Sequence, residues 1–260
     1  MVTGVLFTVV SRGYFRFFWF LAFLIFLLTG CGNQPDGPLS RSKSGMSARV
    51  VEVIDGDTVR VEFLSGPAVG LKGRGSDVSG LQSPVQVSPV EKVRLIGVNA
   101  PETGGKGQAG ELFGLKAKEY TKEHLLNRVV TLEFDVVYRD RYGRLLAYVY
   151  SEEKLFNRQL VEDGYAQLYT SPPNLLHLEE LLAAQREAVR SGRGLWGVRD
   201  FHSGRVVGNR RSFVYHRPGC NHLPSLANRV WFDSEKEAVL AGYRPCKSCF
   251  RSPQKAGNRR

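Results

Sequence analysis

Four charged side chains in this sequence have the types and spacing that hydrolysis of a phosphodiester bond requires. They are Asp57, Arg94, Glu102 and Arg144. Such a reaction needs a carboxylate that orients or deprotonates a water molecule, and cationic donors that neutralise charge on the phosphorus. Glu102 can serve the first need. Arg94 and Arg144 can serve the second, because a guanidinium binds two phosphate oxygens at once. Asp57 adds a hard oxygen of the kind that Ca²⁺ prefers.

The elements that must position these side chains are five β-branched, partly alternating segments, which predict strands. Asp57 lies in the turn between the first two, Arg94 lies in the third, Glu102 follows its end, and Arg144 comes just before the fifth. Functional groups commonly gather at such strand ends. The predicted strands are Val50–Ile54, Val59–Phe63, Val90–Ile96, Val129–Phe134 and Leu145–Tyr150.

Helical patterns separate the later strands. One covers Ala109–Asn127, with Leu112, Leu115, Tyr120 and Leu125–Leu126 near one face. A second covers Leu155–Asp163 and ends at Gly164, and a third covers Asn174–Arg190 with Asn174 as its N-cap. Strands interleaved with helices in this way predict a mainly β fold with some α, a five-stranded OB-fold barrel with about three helices. Residues 64–89 are rich in Gly, Ser and Pro and predict a long insertion loop.

The order of these segments resembles the staphylococcal nuclease (thermonuclease) family over residues 48–198. The resemblance rests on the segments Ile54–Thr58, Arg94–Thr103, Ala109–His124, Asp140–Tyr150 and Leu160–Ala166. It implies an OB-fold nuclease that uses Ca²⁺ to cut DNA and RNA with little sequence preference. It also implies that Glu102 is the catalytic carboxylate, that Arg94 and Arg144 are the catalytic arginines, and that Asp57 and the backbone carbonyl of Ala100 bind calcium.

Asn99 departs from the family pattern, which has an aspartate as the second side-chain calcium ligand at this position. Asparagine keeps a carbonyl oxygen but loses one negative charge, so we expect a higher calcium requirement. Tyr142 resembles a family tyrosine that contacts nucleotide, and Tyr169 is a second candidate. Each ring could stack on a base, or each could be a half-exposed turn tyrosine.

A second candidate site lies near the C-terminus, where His216-x₃-Cys220-x₂₅-Cys246-x₂-Cys249 has zinc-ligand spacing. A segment as small as residues 211–251 cannot rely on its hydrophobic core alone to fold, and a bound metal would supply the missing stability. It resembles the zinc-binding module of the methyltransferase Ada. Because His216 replaces the methyl-accepting cysteine, we expect a structural or DNA-contacting role. Two alternatives stay open: His222 could replace His216, or Cys246 could form a disulfide with Cys249, or Cys220 with either. Residues 201–210 are expected to be a linker and residues 252–260 a basic tail.

The N-terminus has the pattern of an export signal. Arg12 and Arg16 precede about a dozen apolar residues, and Leu28–Cys31 resembles a bacterial lipobox. This predicts a signal peptide over residues 1–30, a lipid on Cys31 and a flexible tether over residues 31–47. Gly32 after the cysteine hints at the outer membrane rather than the inner one. The alternative is an uncleaved N-terminal anchor.

The formal charge of +11 suits a polyanionic partner. Together the patterns predict an extracytoplasmic, lipid-anchored nuclease that acts on DNA and/or RNA as a monomer, with no protein partner evident. One alternative is a catalytically weak or inactive nucleic-acid-binding envelope lipoprotein. Another is a structural envelope lipoprotein, which would have no need for the carboxylate and the two arginines.

Overall fold

A computed structural model describes residues 45–64, 87–104 and 113–250 of the 260-residue chain. The predicted signal peptide, Cys31, nearly all of the tether, most of the 64–89 loop and the basic tail therefore lie outside the described residues. Within those three ranges, no helix is both long enough and apolar enough to cross a bilayer.

The first part of the described chain is a closed five-stranded barrel, as predicted. β1 pairs antiparallel with both β2 and β5, β3 pairs antiparallel with β2 and parallel with β6, and β5 and β6 complete the ring. A short strand, β7, pairs antiparallel with β6, and β4 and β8 form a separate pair. The bounds are β1 Met46–Asp55, β2 Thr58–Phe63, β3 Val90–Leu95, β4 Val98–Asn99, β5 Val129–Glu133, β6 Leu145–Ser151, β7 Lys154–Leu155 and β8 Gln167–Leu168.

Aliphatic side chains that point inward from alternate strand positions fill the barrel. Each such side chain stabilises the fold by about 1.5–3 kcal/mol through burial. Because inward and outward positions alternate, the charged residues of the same strands lie outside the core. The ends of these strands are therefore free to hold the residues of the site. The fully buried members include Val50, Val59, Val61, Val93, Leu132, Leu145, Ala147 and Val149.

Helix α1 (Gly114–Leu125) packs on the turn between β1 and β2. Thr121 Oγ1 donates to the carbonyl of Gly56 at 2.7 Å. A Cβ on Gly56 would lie 2.7 Å from the Cβ of Ala117, so only glycine fits this close approach. Where α1 meets this turn its inward side chains are therefore small (Ala117 and Thr121), while Leu125 is buried as predicted. Leu115, predicted near the same face, is 69% exposed. The predicted start at Ala109 lies outside the described residues.

Helices α2 (Phe156–Glu162) and α3 (Leu178–Ser191) pack on each other and cover the barrel. Gly164, at φ +74°, follows α2 as expected. The prediction of Asn174 as the N-cap of α3 is wrong, because the residue flanking the first turn is His177. Asn174 instead holds a distant loop: its Oδ1 accepts from Val137 N and its Nδ2 donates to Val137 O, both at 2.8 Å.

The C-terminal part is a small four-stranded sheet with one short helix, which we call the metal-binding module (residues 206–250). Its sheet order is β11-β9-β10-β12. Strand β9 lies inside residues 201–210, the segment expected to be a linker. Ser234 caps the short helix, since its Oγ accepts from Glu237 N at 3.2 Å. The bounds are β9 Val206–Asn209, β10 Val214–His216, β11 Arg229–Phe232, α4 Glu235–Leu240 and β12 Arg244–Pro245, with 3₁₀ turns at Gly194–Trp196 and Leu226–Asn228.

The module and helix α3 share a hydrophobic core. Gln185 on α3 is 1% exposed, and its amide joins the two parts: Oε1 accepts from Leu168 N at 2.7 Å and Nε2 donates to Val239 O at 2.8 Å. Arg186 Nε also donates to Leu240 O at 2.9 Å. The module is therefore docked in one orientation. The shared core contains Ala188, Val189, Trp196, Val206, Tyr215, Phe232, Ala238 and Val239.

Candidate active site and metal centre

Asp57 lies in the two-residue turn that joins β1 to β2, where Asp55 pairs with Thr58. Its side chain is nearly buried, and each carboxylate oxygen accepts a hydrogen bond. Thr58 Oγ1 donates to Oδ1 at 3.0 Å, and the backbone N–H of Ala100 donates to Oδ2 at 2.8 Å. The second bond ties the turn to the end of β4, so the carboxylate has a fixed position beside Ala100.

Arg94 crosses from β3 to this carboxylate. Its Nη2 lies 3.0 Å from Asp57 Oδ2 and donates to Asn99 Oδ1 at 3.2 Å. Its Nη1 donates to the carbonyl oxygen of Leu95 at 3.2 Å. The guanidinium therefore holds Asp57 and Asn99 on the same side of the barrel.

Asn99 and Ala100 lie at the end of the short strand β4, in which Asn99 pairs with Gln167 of β8. Asn99 Nδ2 donates to the carbonyl oxygen of Ala100 at 3.3 Å. The structure thus brings together three oxygen donors: the carboxylate of Asp57, the amide oxygen of Asn99 and the carbonyl of Ala100. Oxygen donors of this kind suit a hard divalent cation, although the set carries only one negative charge.

Glu102 lies on the Pro101–Gly104 segment that follows this cluster, with its side chain exposed. Two contacts fix the backbone of that segment. Thr103 Oγ1 donates to Asp55 Oδ1 at 2.7 Å, and the backbone of Glu102 packs directly on Gly114 at the start of α1. Glu102 is therefore held next to the Asp57 turn by the barrel and by α1.

Arg144 lies just before β6 and is held by Asp140. Its Nε donates to Asp140 Oδ2 at 2.7 Å, while the other carboxylate oxygen accepts from the backbone N–H groups of Tyr142 and Arg144 at 2.9 and 3.0 Å. Arg94 pairs with Leu146 across the parallel β3–β6 ladder. Since Arg144 lies two residues before Leu146, strand alternation places both arginines on one face of the sheet.

The two candidate substrate-binding tyrosines occupy different places. Tyr142 is 68% exposed in the turn before Arg144, with the guanidinium carbon of Arg141 4.8 Å from its ring centroid. Tyr169 follows β8, and its backbone N–H donates to Gly97 O at 2.8 Å. The guanidinium carbon of Arg244, from the metal-binding module, lies 4.4 Å from the Tyr169 ring centroid.

The four residues predicted to bind zinc converge in the module. One ligand atom from each of His216, Cys220, Cys246 and Cys249 lies within 4.8 Å of the others. The cluster contains His216, so the alternative in which His222 takes its place is not the one observed. The described cysteines are all free, and the sulfurs of Cys220 and Cys246 are 4.0 Å apart, too far for a disulfide.

The environment of the cluster favours the metal-binding forms of His216 and Cys246 but opposes the thiolate of Cys249. Burial, followed by the charge of His222, lowers the pKa of His216, so its imidazole is neutral at pH 7. Burial opposes the thiolate of Cys246, but the N–H groups of Cys249 and Ser248 outweigh it and lower the pKa of that thiol. Burial raises the pKa of Cys249 to about 12. A neutral histidine with three cysteines is the ligand set of a structural zinc site.

Sequence reasoning missed two residues that support these groups. Asp140 fixes Arg144. Asp140 lies four residues before Arg144, at the start of a tight turn, and this position could have identified it as a partner of Arg144. Arg244 gave no signal, because its contact with Tyr169 joins parts of the chain that are distant in sequence. The structure brings the predicted residues together in two clusters, one of Asp57, Arg94, Asn99 and Ala100 and the other of His216, Cys220, Cys246 and Cys249.

Comparison with known proteins assigns both parts of the chain. The family described as staphylococcal nuclease homologue matches residues 92–198, and the family described as metal binding domain of Ada matches residues 199–251. The thermonuclease of Staphylococcus intermedius is 35% identical over 164 residues, which cover 62% of this chain and 84% of that protein. The thermonuclease of Staphylococcus hyicus is 34% identical over 57% of this chain and 74% of its own length.

A third relative covers a larger share of the chain. Endonuclease YhcR of Bacillus subtilis is 30% identical over 237 residues, which cover 82% of this chain but 17% of that larger protein. With the barrel, the clustered site residues and the similarity to two thermonucleases, the chain belongs to the staphylococcal nuclease family of phosphodiester-hydrolysing enzymes and carries an Ada-type metal-binding module at its C-terminal side.

Proposed function

We propose that this enzyme is a calcium-dependent nuclease that cleaves DNA and/or RNA with little sequence preference, outside the cytoplasm, while tethered to the envelope membrane by a lipid on Cys31. The observation that carries the catalytic part is the cluster of Asp57, Arg94, Asn99 and Ala100. It joins oxygen donors for a hard cation to a guanidinium that can bind phosphate.

The residues present fit calcium, though less well than a set with two carboxylates would. Asp57 is 6% exposed and already aligned by Thr58 and Ala100. Asn99 turns its amide oxygen toward the same guanidinium as Asp57 does. A calcium ion bound by these oxygens would supply positive charge to the scissile phosphate. With one carboxylate instead of two, we expect the ion to bind more weakly.

The side chains of the enzyme supply the rest of the chemistry. Glu102 accepts a proton from the attacking water and so makes it a better nucleophile. Arg94 and Arg144 bind the non-bridging phosphate oxygens, whose charge grows as the phosphorus becomes pentacoordinate. Tyr142 and Tyr169 hold the flanking nucleotides by stacking or by hydrogen bonds to phosphate.

A calcium titration with the full-length protein tests this proposal. Fluorescent single-stranded DNA, duplex DNA and RNA are incubated with increasing Ca²⁺ or with a chelator. We expect cleavage that depends on Ca²⁺ and disappears with chelator. Saturation at low micromolar Ca²⁺ would contradict the weakened site, and full activity in chelator would contradict calcium dependence.

The lipid anchor is tested by expressing the wild type and Cys31→Ala in a bacterial host that exports lipoproteins. We expect the wild-type protein in the membrane fraction and labelled by a fatty-acid analogue, and the variant unlabelled. If the wild-type protein is in the membrane fraction but takes up no label, an uncleaved N-terminal anchor holds it there instead. Outer and inner membranes are separated in the same experiment to identify the membrane involved.

We propose Zn²⁺ as the metal of the module, in a structural role. The geometry of three free cysteines and one neutral histidine supports this choice. Metal analysis of the purified protein should find about one zinc per chain. Absence of zinc, together with thiols that resist alkylation, would favour a disulfide in the exported protein.

A further inference from the structure

Arg244 belongs to the metal-binding module, and the module fixes its backbone from two sides. On one side Arg244 pairs with Val214 in the parallel β10–β12 ladder, and its N–H donates to Phe213 O at 2.9 Å. On the other side the chain reaches the metal ligand Cys246 two residues later, and Cys246 N donates to Tyr215 O at 2.9 Å. The position of Arg244 therefore depends on the sheet and on the metal cluster.

The segment before Arg244 packs closely against β8 and α3 of the nuclease domain. Gly242 has φ +87°, and a Cβ there would lie 3.3 Å from side-chain carbons of Leu168 and Leu182. Both the backbone conformation and the close approach favour glycine. This contact brings the side chain of Arg244 over the face of Tyr169, with 4.4 Å between the guanidinium carbon and the ring centroid.

Tyr169 is connected directly to the candidate active site. It follows β8, whose residues Leu168 and Gln167 pair with Val98 and Asn99 of β4. Asn99 is one of the oxygen donors of the Asp57 cluster. One short ladder therefore connects the Arg244–Tyr169 contact with the calcium-binding side of the barrel.

The chemistry of Arg244 fits an anionic ligand. Its planar group uses a face to stack on Tyr169, which leaves the N–H donors at its edge able to bind a phosphate. Nε is buried, and within residues 45–64, 87–104 and 113–250 it has no hydrogen-bond partner. Arg139 and Arg199, by contrast, are paired with Glu91 and Glu235. A buried donor without an acceptor is unusual in a folded protein. Because Nε is buried, a phosphate at the surface would be bound by the two terminal nitrogens of the guanidinium.

We propose that Arg244 is a substrate-binding residue of the nuclease, which contacts a backbone phosphate of the nucleic-acid strand that Tyr169 holds. The metal-binding module is then part of the substrate-binding surface, and its metal helps to fix a side chain that the substrate touches. This inference rests on the proposed function, because it takes a nucleic acid as the substrate and Tyr169 as one of its contacts.

The test measures binding of a labelled oligonucleotide to the full-length protein in buffer without added Ca²⁺ and without chelator, so that cleavage does not interfere and the module keeps its metal. Arg244→Gln keeps a side chain of similar length but removes its charge. We expect its Kd to rise about tenfold. The slope of log Kd against log salt should fall by about 0.7 for a single strand or about 0.9 for a duplex. In cleavage assays KM should rise while kcat changes little.

Two further variants separate a substrate contact from a structural role. Arg244→Lys keeps the charge and should keep the wild-type salt slope. Lys236→Ala removes one exposed positive charge from α4 of the same module and should change neither Kd nor the slope. Zinc content and the thermal unfolding midpoint are measured for every variant, and these two readouts alone would change if Arg244 only supported the module.

The outcomes distinguish this inference from the function on which it rests. If the wild-type protein neither binds nor cuts any of the three substrates, the proposed function fails and this inference fails with it. If the wild-type protein is active and Arg244→Gln shows the same Kd, KM and salt slope as the wild type, only the role of Arg244 is overturned. A parallel loss of affinity in Lys236→Ala would also overturn it, since general charge would then explain the effect.

Discussion

The guanidinium of Arg94 bridges Asp57 and Asn99, with Nη2 3.0 Å from Asp57 Oδ2 and 3.2 Å from Asn99 Oδ1. The same cation therefore neutralises the single carboxylate of the proposed calcium site and orients the amide beside it. Any metal that binds there competes with Arg94 for those oxygens. Charge at position 99 should thus control how much calcium the enzyme needs.

Asn99→Asp adds the missing negative charge, and we expect it to lower the calcium concentration for half-maximal cleavage by roughly tenfold or more. Asn99→Ala is the matched control and should raise that concentration, because it removes an oxygen donor. The measurement is a calcium titration of initial cleavage rates at fixed substrate. Equal half-maximal concentrations for the wild type and Asn99→Asp would show that residue 99 is not a ligand.

Glu102→Gln removes the proposed base while it keeps the size of the side chain. We expect kcat to fall by a factor on the order of 10² to 10⁴, with oligonucleotide affinity unchanged. Glu123→Gln, at an exposed position on α1, serves as the control and should cleave at the wild-type rate. Plasmid digestion by Glu102→Gln at the wild-type rate would rule out this assignment.

Asp140→Asn tests whether the carboxylate that binds Arg144 positions it for catalysis. The amide keeps the shape of the turn but weakens the 2.7 Å contact to Arg144 Nε. We expect kcat to fall by about tenfold or more, since misplacement by about 1 Å can cost 10²-fold.

Arg144→Lys is the comparison for Asp140→Asn and should be more severe, on the order of 10²-fold or more, because a forked donor becomes a point charge. Thermal unfolding of both variants is recorded to exclude a loss of fold. If Asp140→Asn retains the wild-type kcat, Arg144 does not depend on it.

Glu235 predicts a pH-dependent stability of the metal-binding module. Burial alone would raise its pKa, but hydrogen bonds from Arg199, His202 N and Tyr215 outweigh burial, and the pKa lies below the ordinary value of 4.5. A carboxyl whose pKa is lowered by folding stabilises the fold above its unfolded pKa, and this stabilisation is lost as the pH falls through the folded pKa.

We therefore expect Glu235→Gln to lower the free energy of unfolding by about 3 kcal/mol at pH 7, as removal of one partner from a buried ion pair typically does. The difference from the wild type should shrink below pH 4.5. Urea unfolding at several pH values measures both effects. Glu179→Gln, exposed in the first turn of α3, is the control, and an equal loss at all pH values would contradict the ionic origin.

The barrel could be predicted from the sequence because its strands carry a local signal. The five predicted segments agree with β1, β2, β3, β5 and β6 to within a few residues, since alternation of apolar and polar positions reports directly on a half-buried strand. The convergence of His216, Cys220, Cys246 and Cys249 was also predictable, because histidine and cysteine at this spacing are typical of a zinc site.

The errors arise where a distant partner overrides a local pattern. Asn174 looks like a helix cap, but Val137 competes for its side chain and holds it in a loop. The short segment that contains β9 looks like a linker, yet it pairs with both β10 and β11. Gln185 forms hydrogen bonds across the contact between the two parts, and Arg244 stacks on Tyr169 across it. A single sequence carries no information about such distant pairs.

The buried amide of Gln185 also bears on how this protein can be divided. Cutting the chain near residue 199 would strip the cover from Ala188, Val189 and Trp196 and leave the amide nitrogen of Gln185 without Val239. A truncated nuclease would then expose an apolar surface with an unpaired hydrogen-bond donor at its centre. We expect relatives that end at this boundary to carry hydrophilic side chains on the corresponding face of the helix.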